Sequence, residues 1–190
     1  MRVIAGTYRS RILKSLKGLA LRPTSDRLRE TLFNVLAPNI AGSRFVDLFA
    51  GTGAIGIEAL SRGAAEVVFI ENHAPAVNLI RRNFESLGIN TGATVLTVDA
   101  LRGLAVLASR KQPSAGGYDY VFLDPPYAAA EDYSRVLEFL GSTELVAPGG
   151  IVIAEHRRNF DLPEELGALR RFRVLKQGDA ALSFYRRRPL

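Results

Sequence analysis

Apolar runs of strand-like composition alternate with helical patterns from residue 44 onward, and this alternation constrains the fold more than any other feature. The runs are rich in Val, Ile, Leu and Phe and lack strict polar–apolar alternation, which is typical of strands buried on both faces. Strand, helix and strand in succession predict a parallel sheet with right-handed crossovers. The predicted strands are Arg44–Ala50, Glu66–Glu71, Ala93–Asp99, Tyr118–Asp124 and Gly150–Glu155, and the predicted helices are Ala54–Arg62, Pro75–Leu87, Leu101–Ala108 and Ala130–Leu140.

The end of the chain follows a different pattern. Gly178-Asp179 separates two strand-like segments, Leu169–Lys176 and Ala181–Arg187. A short Gly-containing connection between two such segments predicts a hairpin. We therefore expect the last strand to be antiparallel.

The first 43 residues stand apart from the alternating part. Arg2–Gly6 and Arg11–Lys14 predict a small hairpin, and a helix is expected from Ser25 or Asp26 to about Leu36. Because 43 residues make a poor core alone, we interpret residues 1–43 as an extension packed on a main domain, residues 44–190.

Composition excludes several classes of protein. A chain of 190 residues is about one domain. It has no cysteine, which excludes disulfides, thiolate metal sites and a cysteine nucleophile, and with only two histidines no metal site is expected. No apolar run reaches about 18 residues and the N-terminus has no apolar signal core, so we expect no membrane association and a cytoplasmic location.

Charge is divided unevenly along the chain. Residues 1–29 hold eight basic residues and one acidic residue. Residues 30–156 hold eight basic and fourteen acidic residues, and residues 157–190 hold nine basic and four acidic residues. An acidic middle between two basic ends favours a polyanion partner, most simply nucleic acid. The alternative is a pair of solvated basic tails.

A glycine-rich segment, Gly51-Thr-Gly-Ala-Ile-Gly56, follows the first predicted strand and opens a helix. Its spacing fits a dinucleotide-binding fingerprint, and Glu71 lies twenty residues beyond Gly51. Glycines at these positions let the backbone approach a ligand closely. A tight strand-to-helix turn without a ligand is the alternative.

Four carboxylates lie at or near the ends of predicted parallel strands: Asp47, Glu71, Asp99 and Asp124. Ligands of open α/β sheets bind at the carboxyl ends of strands, so these acids predict an acidic crevice. Such a crevice repels a pyrophosphate but suits S-adenosylmethionine, which carries a sulfonium, an ammonium and a ribose diol. One or two of the acids could instead cap the helices that follow.

The most specific motif is Asp124-Pro125-Pro126-Tyr127. Its two prolines remove backbone donors and leave acceptors only, beside an aromatic ring. This chemistry suits the exocyclic amine of a nucleobase, whose N–H groups need acceptors and whose face can stack on Tyr127. The alternative is a proline-rich turn that ends a strand.

These segments resemble a known family. The segment from Asp47 to Gly56 resembles the cofactor loop of class I S-adenosylmethionine-dependent methyltransferases, and Asp124–Tyr127 resembles their amino-methylating signature. Residues 22–34 resemble the N-terminal motif of the bacterial 16S ribosomal RNA guanine-N2 methyltransferase family. The sequence departs from that family at Ser10, where Gly is frequent, and at His73, where an acid is common.

The resemblance implies a Rossmann-like α/β fold with a seven-stranded, mostly parallel sheet, an antiparallel last strand and a small N-terminal extension. It implies that residues 44–190 form the methyltransferase domain and that residues 1–43 face RNA. The implied cofactor-binding residues are Asp47, Gly51, Thr52, Gly53, Glu71, Asn72, Asp99 and Ala100. The implied catalytic residues are Asp124, Pro125, Pro126 and Tyr127, and the implied RNA-binding residues are Arg9, Arg11, Arg22, Thr24 and Arg27.

The expected reaction is methyl transfer from S-adenosylmethionine to a guanine N2 of small-subunit ribosomal RNA, in an assembling 30S particle and by a monomer. One alternative is an amino-methyltransferase acting on adenine N6 or cytosine N4 of DNA or another RNA. Alternatives of other classes are an NAD-dependent oxidoreductase and a non-catalytic RNA-binding module.

Overall fold

The computed structural model describes residues 1–15, 26–109, 116–126 and 130–188. The chain divides into two compact units, Met1–Val98 and Asp99–Leu190. Within the described residues no helix is long and apolar enough to cross a membrane. The predicted helix start at Ser25 lies outside these residues.

The first unit alternates helices and strands as the sequence predicts. Its strands β1 to β3 are parallel, with β2 between β1 and β3. The central positions of β1 and β2 are fully buried, as expected for strands covered on both faces. The elements are α1 (Asp26–Leu36), a 3₁₀ turn (Ala37–Asn39), β1 (Arg44–Leu48), α2 (Ala54–Ser61), β2 (Glu66–Ile70), α3 (Ala74–Leu87) and β3 (Ala93–Leu96).

The register of this sheet brings two predicted site residues to one edge. Asp47 is the fourth residue of β1 and pairs with Phe69 of β2. Glu71 is the first residue after β2, whose last residue, Ile70, pairs with Leu48. Because the strands are parallel, both acids lie at the carboxyl edge of the sheet.

The N-terminal segment forms the predicted hairpin, with one antiparallel bridge between Arg2 and Ile12 in place of longer paired strands. The Val3 N–H donates to the Arg11 carbonyl (3.0 Å), and the Ser10 N–H donates to the Val3 carbonyl (2.8 Å). Ser10 has φ of +67°, in the left-handed region that favours glycine. This backbone angle explains why glycine is favourable at the position where the sequence departs from the family.

A buried carboxylate on α2 attaches the hairpin to the first unit. The two oxygens of Glu58 accept the backbone N–H groups of Ile4 (2.8 Å) and Ala5 (3.0 Å). Glu58 also forms an ion pair with Arg62 (2.7 Å) and lies 3.8 Å from the buried Arg29. The hairpin is therefore part of the first compact unit, while a domain boundary at residue 43 stays a prediction.

The second unit has one parallel strand pair and an antiparallel extension. Strand β4 pairs with β5 in parallel, and β5, β8, β7 and β6 follow one another in antiparallel pairing. The predicted antiparallel last strand is thereby confirmed. The elements are α4 (Ala100–Ser109), β4 (Tyr118–Leu123), α5 (Ala130–Ser142), β5 (Val146–Arg157), β6 (Glu165–Leu166), β7 (Leu169–Gln177) and β8 (Ala180–Arg187).

The start of β5 and the number of strands differ from the sequence prediction. Strand β5 begins at Val146, four residues before the predicted start at Gly150, because a register shift between Tyr118 and Tyr120 accommodates the Pro148-Gly149 segment within the strand. The described residues contain eight strands where seven were expected. The additional strand is β6, whose two residues are too few to produce a sequence pattern.

Candidate active site

The glycine-rich loop makes a sharp turn between β1 and α2. Phe49, Gly51 and Gly53 all have positive φ, so the first predicted strand ends at Leu48 and not at Ala50. Positive φ is strained for Phe49, and such strain is typical of functional loops. A Cβ placed on Gly51 would make only an ordinary contact, 3.8 Å from the Phe49 carbonyl oxygen, so no described atom crowds this position.

Gly56 has a different role from the loop glycines. A Cβ at this position would lie 2.3 Å from the ring of Phe69 on β2. The glycine therefore allows α2 to pack closely on the sheet, as the third glycine of a dinucleotide fingerprint does. The glycine spacing in the sequence therefore serves two purposes: Gly51 and Gly53 allow the turn, and Gly56 allows the helix to pack on the sheet.

Glu71 fixes the loop from the neighbouring strand. One of its oxygens accepts the N–H of Gly51 and the other accepts the N–H of His73, each at 2.8 Å. A carboxylate has about four acceptor positions, so both oxygens can still accept further hydrogen bonds. Asn72 and His73 are exposed beside it, and His73 precedes the first turn of α3.

Asp47 lies beneath the loop and is 1% exposed. Its carboxyl accepts the N–H of Gly56 at 2.9 Å. Burial, reinforced by the charge of Glu71, raises the pKa of Asp47 to about 8, although the Gly56 hydrogen bond lowers it. The carboxyl is therefore an unfavourable place for a negative charge unless a cation accompanies it.

We expect Asp47→Asn to stabilise the ligand-free protein increasingly as pH rises from about 4 to about 8. The folded wild type retains a proton that the unfolded chain releases above its ordinary pKa of 3.8, so the stability of the wild type falls with pH across this window. Asparagine keeps an acceptor for Gly56 without titrating. Denaturant unfolding of both proteins over the pH series measures the difference in their free energies of unfolding. Parallel curves of stability against pH would contradict the raised pKa of Asp47.

Asn83 on α3 is a buried polar residue that the sequence analysis missed. Its amide donates to the carbonyls of Thr52 (3.1 Å) and Lys14 (3.3 Å), and its oxygen accepts the Lys14 N–H (2.8 Å). One side chain thereby attaches both the glycine-rich loop and the N-terminal segment to α3. A polar residue on the apolar face of an amphipathic helix was the signal available in the sequence.

Asp99 begins the second unit as a helix cap. Its Oδ1 accepts the N–H of Arg102 at 2.9 Å, and its carbonyl accepts the N–H of Gly103. As a cap, Asp99 belongs to the start of α4 and not to β3, which ends at Leu96, before the predicted end at Asp99. Asp99 is exposed and Ala100 is buried, so the second carboxylate oxygen remains available to a ligand.

The Asp124-Pro125-Pro126 segment follows β4 directly. Asp124 is half-buried, Pro125 is buried and Pro126 is exposed, one residue past the buried Leu123. The structure therefore places the predicted acceptor segment at the carboxyl end of a parallel strand. Tyr127 lies outside the described residues.

The predicted RNA-binding residues are only partly covered by the structure. Arg9, Arg11 and Arg27 are exposed, while Arg22 and Thr24 lie outside the described residues. The Arg11 guanidinium donates to the Ser86 carbonyl of α3 at 2.7 Å. Arg11 thus holds the hairpin against α3 while its charge stays at the surface.

A family model described as conserved hypothetical protein 95 matches residues 1–186. The chain belongs to this family. A Bacillus subtilis relative named "Putative rRNA methyltransferase YlbH" is 36% identical over 188 residues, 99% of this chain and all of that one. The ribosomal RNA small subunit methyltransferase D of Haemophilus influenzae is 43% identical over 129 residues, 67% of this chain and 64% of that one.

Solved structures show the same fold. The Escherichia coli protein named "Putative methyltransferase yhhF" superposes with a TM-score of 0.84 at 30% identity, covering 99% of this chain and 98% of that one. The predicted Rossmann-like class I methyltransferase fold is confirmed for this member of the conserved hypothetical protein 95 family.

Proposed function

We propose that this chain transfers a methyl group from S-adenosylmethionine to the exocyclic N2 of a guanine in small-subunit ribosomal RNA, as a cytoplasmic monomer acting on an assembling 30S particle. The names of its relatives support methyl transfer to ribosomal RNA. The observation that carries the proposal is the acceptor segment Asp124-Pro125-Pro126 directly after a buried parallel strand. The choice of guanine N2 depends on the resemblance of residues 22–34 to the guanine-N2 family.

The described residues fit the cofactor. No described atom crowds the Cβ position of Gly51, so a ligand can approach this backbone closely, and Glu71 retains acceptor capacity for ribose hydroxyls. Asp47 is buried and favours an accompanying cation, which the ammonium of the methionine moiety can supply. The proposal assigns Thr52, Gly53 and Asn72 to the same ligand and assigns its adenine to Asp99 and Ala100.

The proposed chemistry needs positioning and acceptors. A bound cofactor would supply an electrophilic methyl group on its sulfonium. The guanine N2 lone pair would form the new N–C bond as the methyl–sulfur bond breaks, S-adenosylhomocysteine would leave, and the extra N2 proton would pass to water. Asp124 and the Pro125 carbonyl accept the N2 hydrogen bonds and orient the lone pair, and Tyr127 stacks on the base. Arg9, Arg11, Arg22, Thr24 and Arg27 contact the RNA backbone.

An NAD-dependent oxidoreductase is the less favoured alternative. A pyrophosphate at the glycine-rich loop would meet the Glu71 carboxylate, which already accepts the Gly51 N–H, and hydride transfer gives the Asp124-Pro125-Pro126 segment no role. Calorimetric titration with S-adenosylmethionine and with NADH distinguishes the two functions. Binding of NADH alone would contradict the proposal.

We expect Glu71→Ala to weaken S-adenosylmethionine binding by about 1–3 kcal/mol, the range for a lost hydrogen bond to a charged group. Loss of the Gly51 contact alone could also weaken binding, so the control is a cofactor analogue without ribose hydroxyls. The wild type should bind the natural cofactor more tightly than the analogue, and the variant should not discriminate between them. If both proteins prefer the natural cofactor over the analogue equally, Glu71 does not bind the ribose hydroxyls.

A further inference from the structure

One face of the β7–β8 hairpin combines exposed arginines with an exposed aromatic ring. The β7–β8 register changes from Arg171 opposite Tyr185 to Arg173 opposite Phe184, so Phe172 is the extra residue of a β-bulge. Bulges reorient side chains and commonly occur near functional sites. We define the basic aromatic face as Arg170, Phe172, Arg173, Arg186 and Arg188.

Phe172 is exposed although it has an apolar neighbour. Its ring centroid lies 6.2 Å from that of the buried Phe184, yet 43% of Phe172 is exposed. The guanidinium carbon of Arg186 lies 4.6 Å from the Phe172 ring centroid. The guanidinium therefore stacks on the ring, and an exposed arginine–aromatic pair of this kind is typical of surfaces that bind unpaired nucleotides.

The charges of this face are only partly balanced by the protein itself. Arg170 lies directly opposite Arg186, an arrangement that destabilises a sheet unless an anion compensates it. Glu165 pairs with Arg170 (3.5 Å) and with Arg188 (2.5 Å). Within the part of the chain that the structure describes, Arg173 and Arg186 pair with no carboxylate, so the face carries a net positive charge.

We propose that the basic aromatic face binds the ribosomal RNA substrate, with Phe172 and Arg186 stacking on an unpaired base while Arg170 and Arg173 contact phosphates. This inference depends on the proposed function for the identity of the RNA. It adds a contact that neither the N-terminal arginines nor the Asp124 segment supplies.

The register of the second unit places the face near the strand end that precedes Asp124. Arg186 pairs with Ile151, and Ile151 pairs with Tyr120, four residues before Asp124. Two strand spacings of about 4.8 Å and four residues of about 3.3 Å each separate Arg186 from Asp124 by roughly 16 Å. Stacked nucleotides rise about 3.4 Å each along one strand, so about five nucleotides span this distance.

The test compares Phe172→Ala with two matched variants. Phe172→Tyr keeps a stacking ring, and Val174→Ala shortens another exposed apolar side chain of the same strand, 36% exposed. The dissociation constant for 16S ribosomal RNA is measured directly, together with KM and kcat for methyl transfer. Thermal unfolding and S-adenosylmethionine binding check that each variant is folded.

We expect Phe172→Ala to raise the dissociation constant and KM for RNA about tenfold, within the range for one lost stacked base. Its kcat at saturating RNA and its cofactor affinity should stay at the wild-type values, and Phe172→Tyr and Val174→Ala should bind RNA as the wild type does. Wild-type RNA affinity in Phe172→Ala, or an equal loss in Val174→Ala, would overturn the inference. A wild type that binds this RNA through Phe172 but methylates none of it would contradict the proposed function and leave the face supported.

Discussion

Asp124→Ala is expected to reduce kcat for methyl transfer about 10²–10³-fold while changing S-adenosylmethionine affinity by less than about tenfold. The proposal assigns Asp124 to the N–H groups of the target amine, and its loss leaves the nitrogen lone pair unoriented toward the methyl group. Removing one preorganised electrostatic group from an active site costs about 10²–10³-fold in kcat in comparable cases. Single-turnover transfer of labelled methyl groups to RNA measures this loss, and calorimetry measures cofactor binding.

Two further variants make the Asp124 result specific. Asp124→Asn keeps one acceptor but presents an NH₂ donor to the amine, so its rate should fall between those of the wild type and the alanine variant. Glu131→Ala removes an exposed carboxylate from the first turn of α5 and should transfer methyl groups at the wild-type rate. A wild-type kcat in Asp124→Ala would refute the acceptor role.

Glu58→Ala is expected to destabilise the first unit by about 3–5 kcal/mol, the range for breaking one side of a buried ion pair. The substitution leaves the N–H groups of Ile4 and Ala5 without their acceptor and removes the carboxylate beside the buried Arg29. Denaturant unfolding measures the loss of stability. Glu66→Ala is the matched control, because the Arg44–Glu66 pair is partly exposed and should contribute only about 0–1 kcal/mol.

Glu58→Gln provides a milder test in case the alanine variant does not fold. Glutamine removes the charge but keeps one acceptor, so the hairpin should loosen while the sheet stays intact. Hydrogen exchange should then show faster exchange at the backbone N–H groups of Ile4 and Ala5 than in the wild type. Unchanged exchange at both positions would contradict the role assigned to Glu58.

The strands and the glycine-rich turn could be predicted because their signals are local. A buried parallel strand is a short run of apolar residues, and Gly51-Thr-Gly-Ala-Ile-Gly56 marks the turn by residue type alone. The positions of strand ends were less accurate. The positive φ of Phe49 follows the end of β1, and Asp99 caps α4 and does not extend β3; both features depend on backbone geometry.

The buried polar residues could not be predicted in the same way. Glu58 is buried because the N-terminal hairpin packs on α2, and Asn83 is buried because Lys14 and Thr52 meet it on α3. These contacts join segments that are 31 to 69 residues apart, so no local pattern specifies them. Similarly, Phe172 is exposed at a bulge, whereas an apolar residue between Arg171 and Arg173 in a strand-like segment predicts an inward-facing side chain.

We propose the preference for an assembling particle because the chain is small. A pocket can select guanine by its base edges, but a small protein has little surface with which to read the surrounding sequence. We therefore infer that folded RNA presents the target already unstacked, which also lowers the cost of extruding the base by about a few kcal/mol.

The most direct test of the proposed function identifies the product. S-adenosylmethionine with a labelled methyl group is supplied in parallel to naked 16S RNA, small-subunit particles and 23S RNA, and the digested nucleosides are analysed by mass spectrometry. We predict that the label appears as N2-methylguanosine and accumulates fastest in the small-subunit particles. Label in N6-methyladenosine, or incorporation into 23S RNA as fast as into the particles, would contradict the proposal.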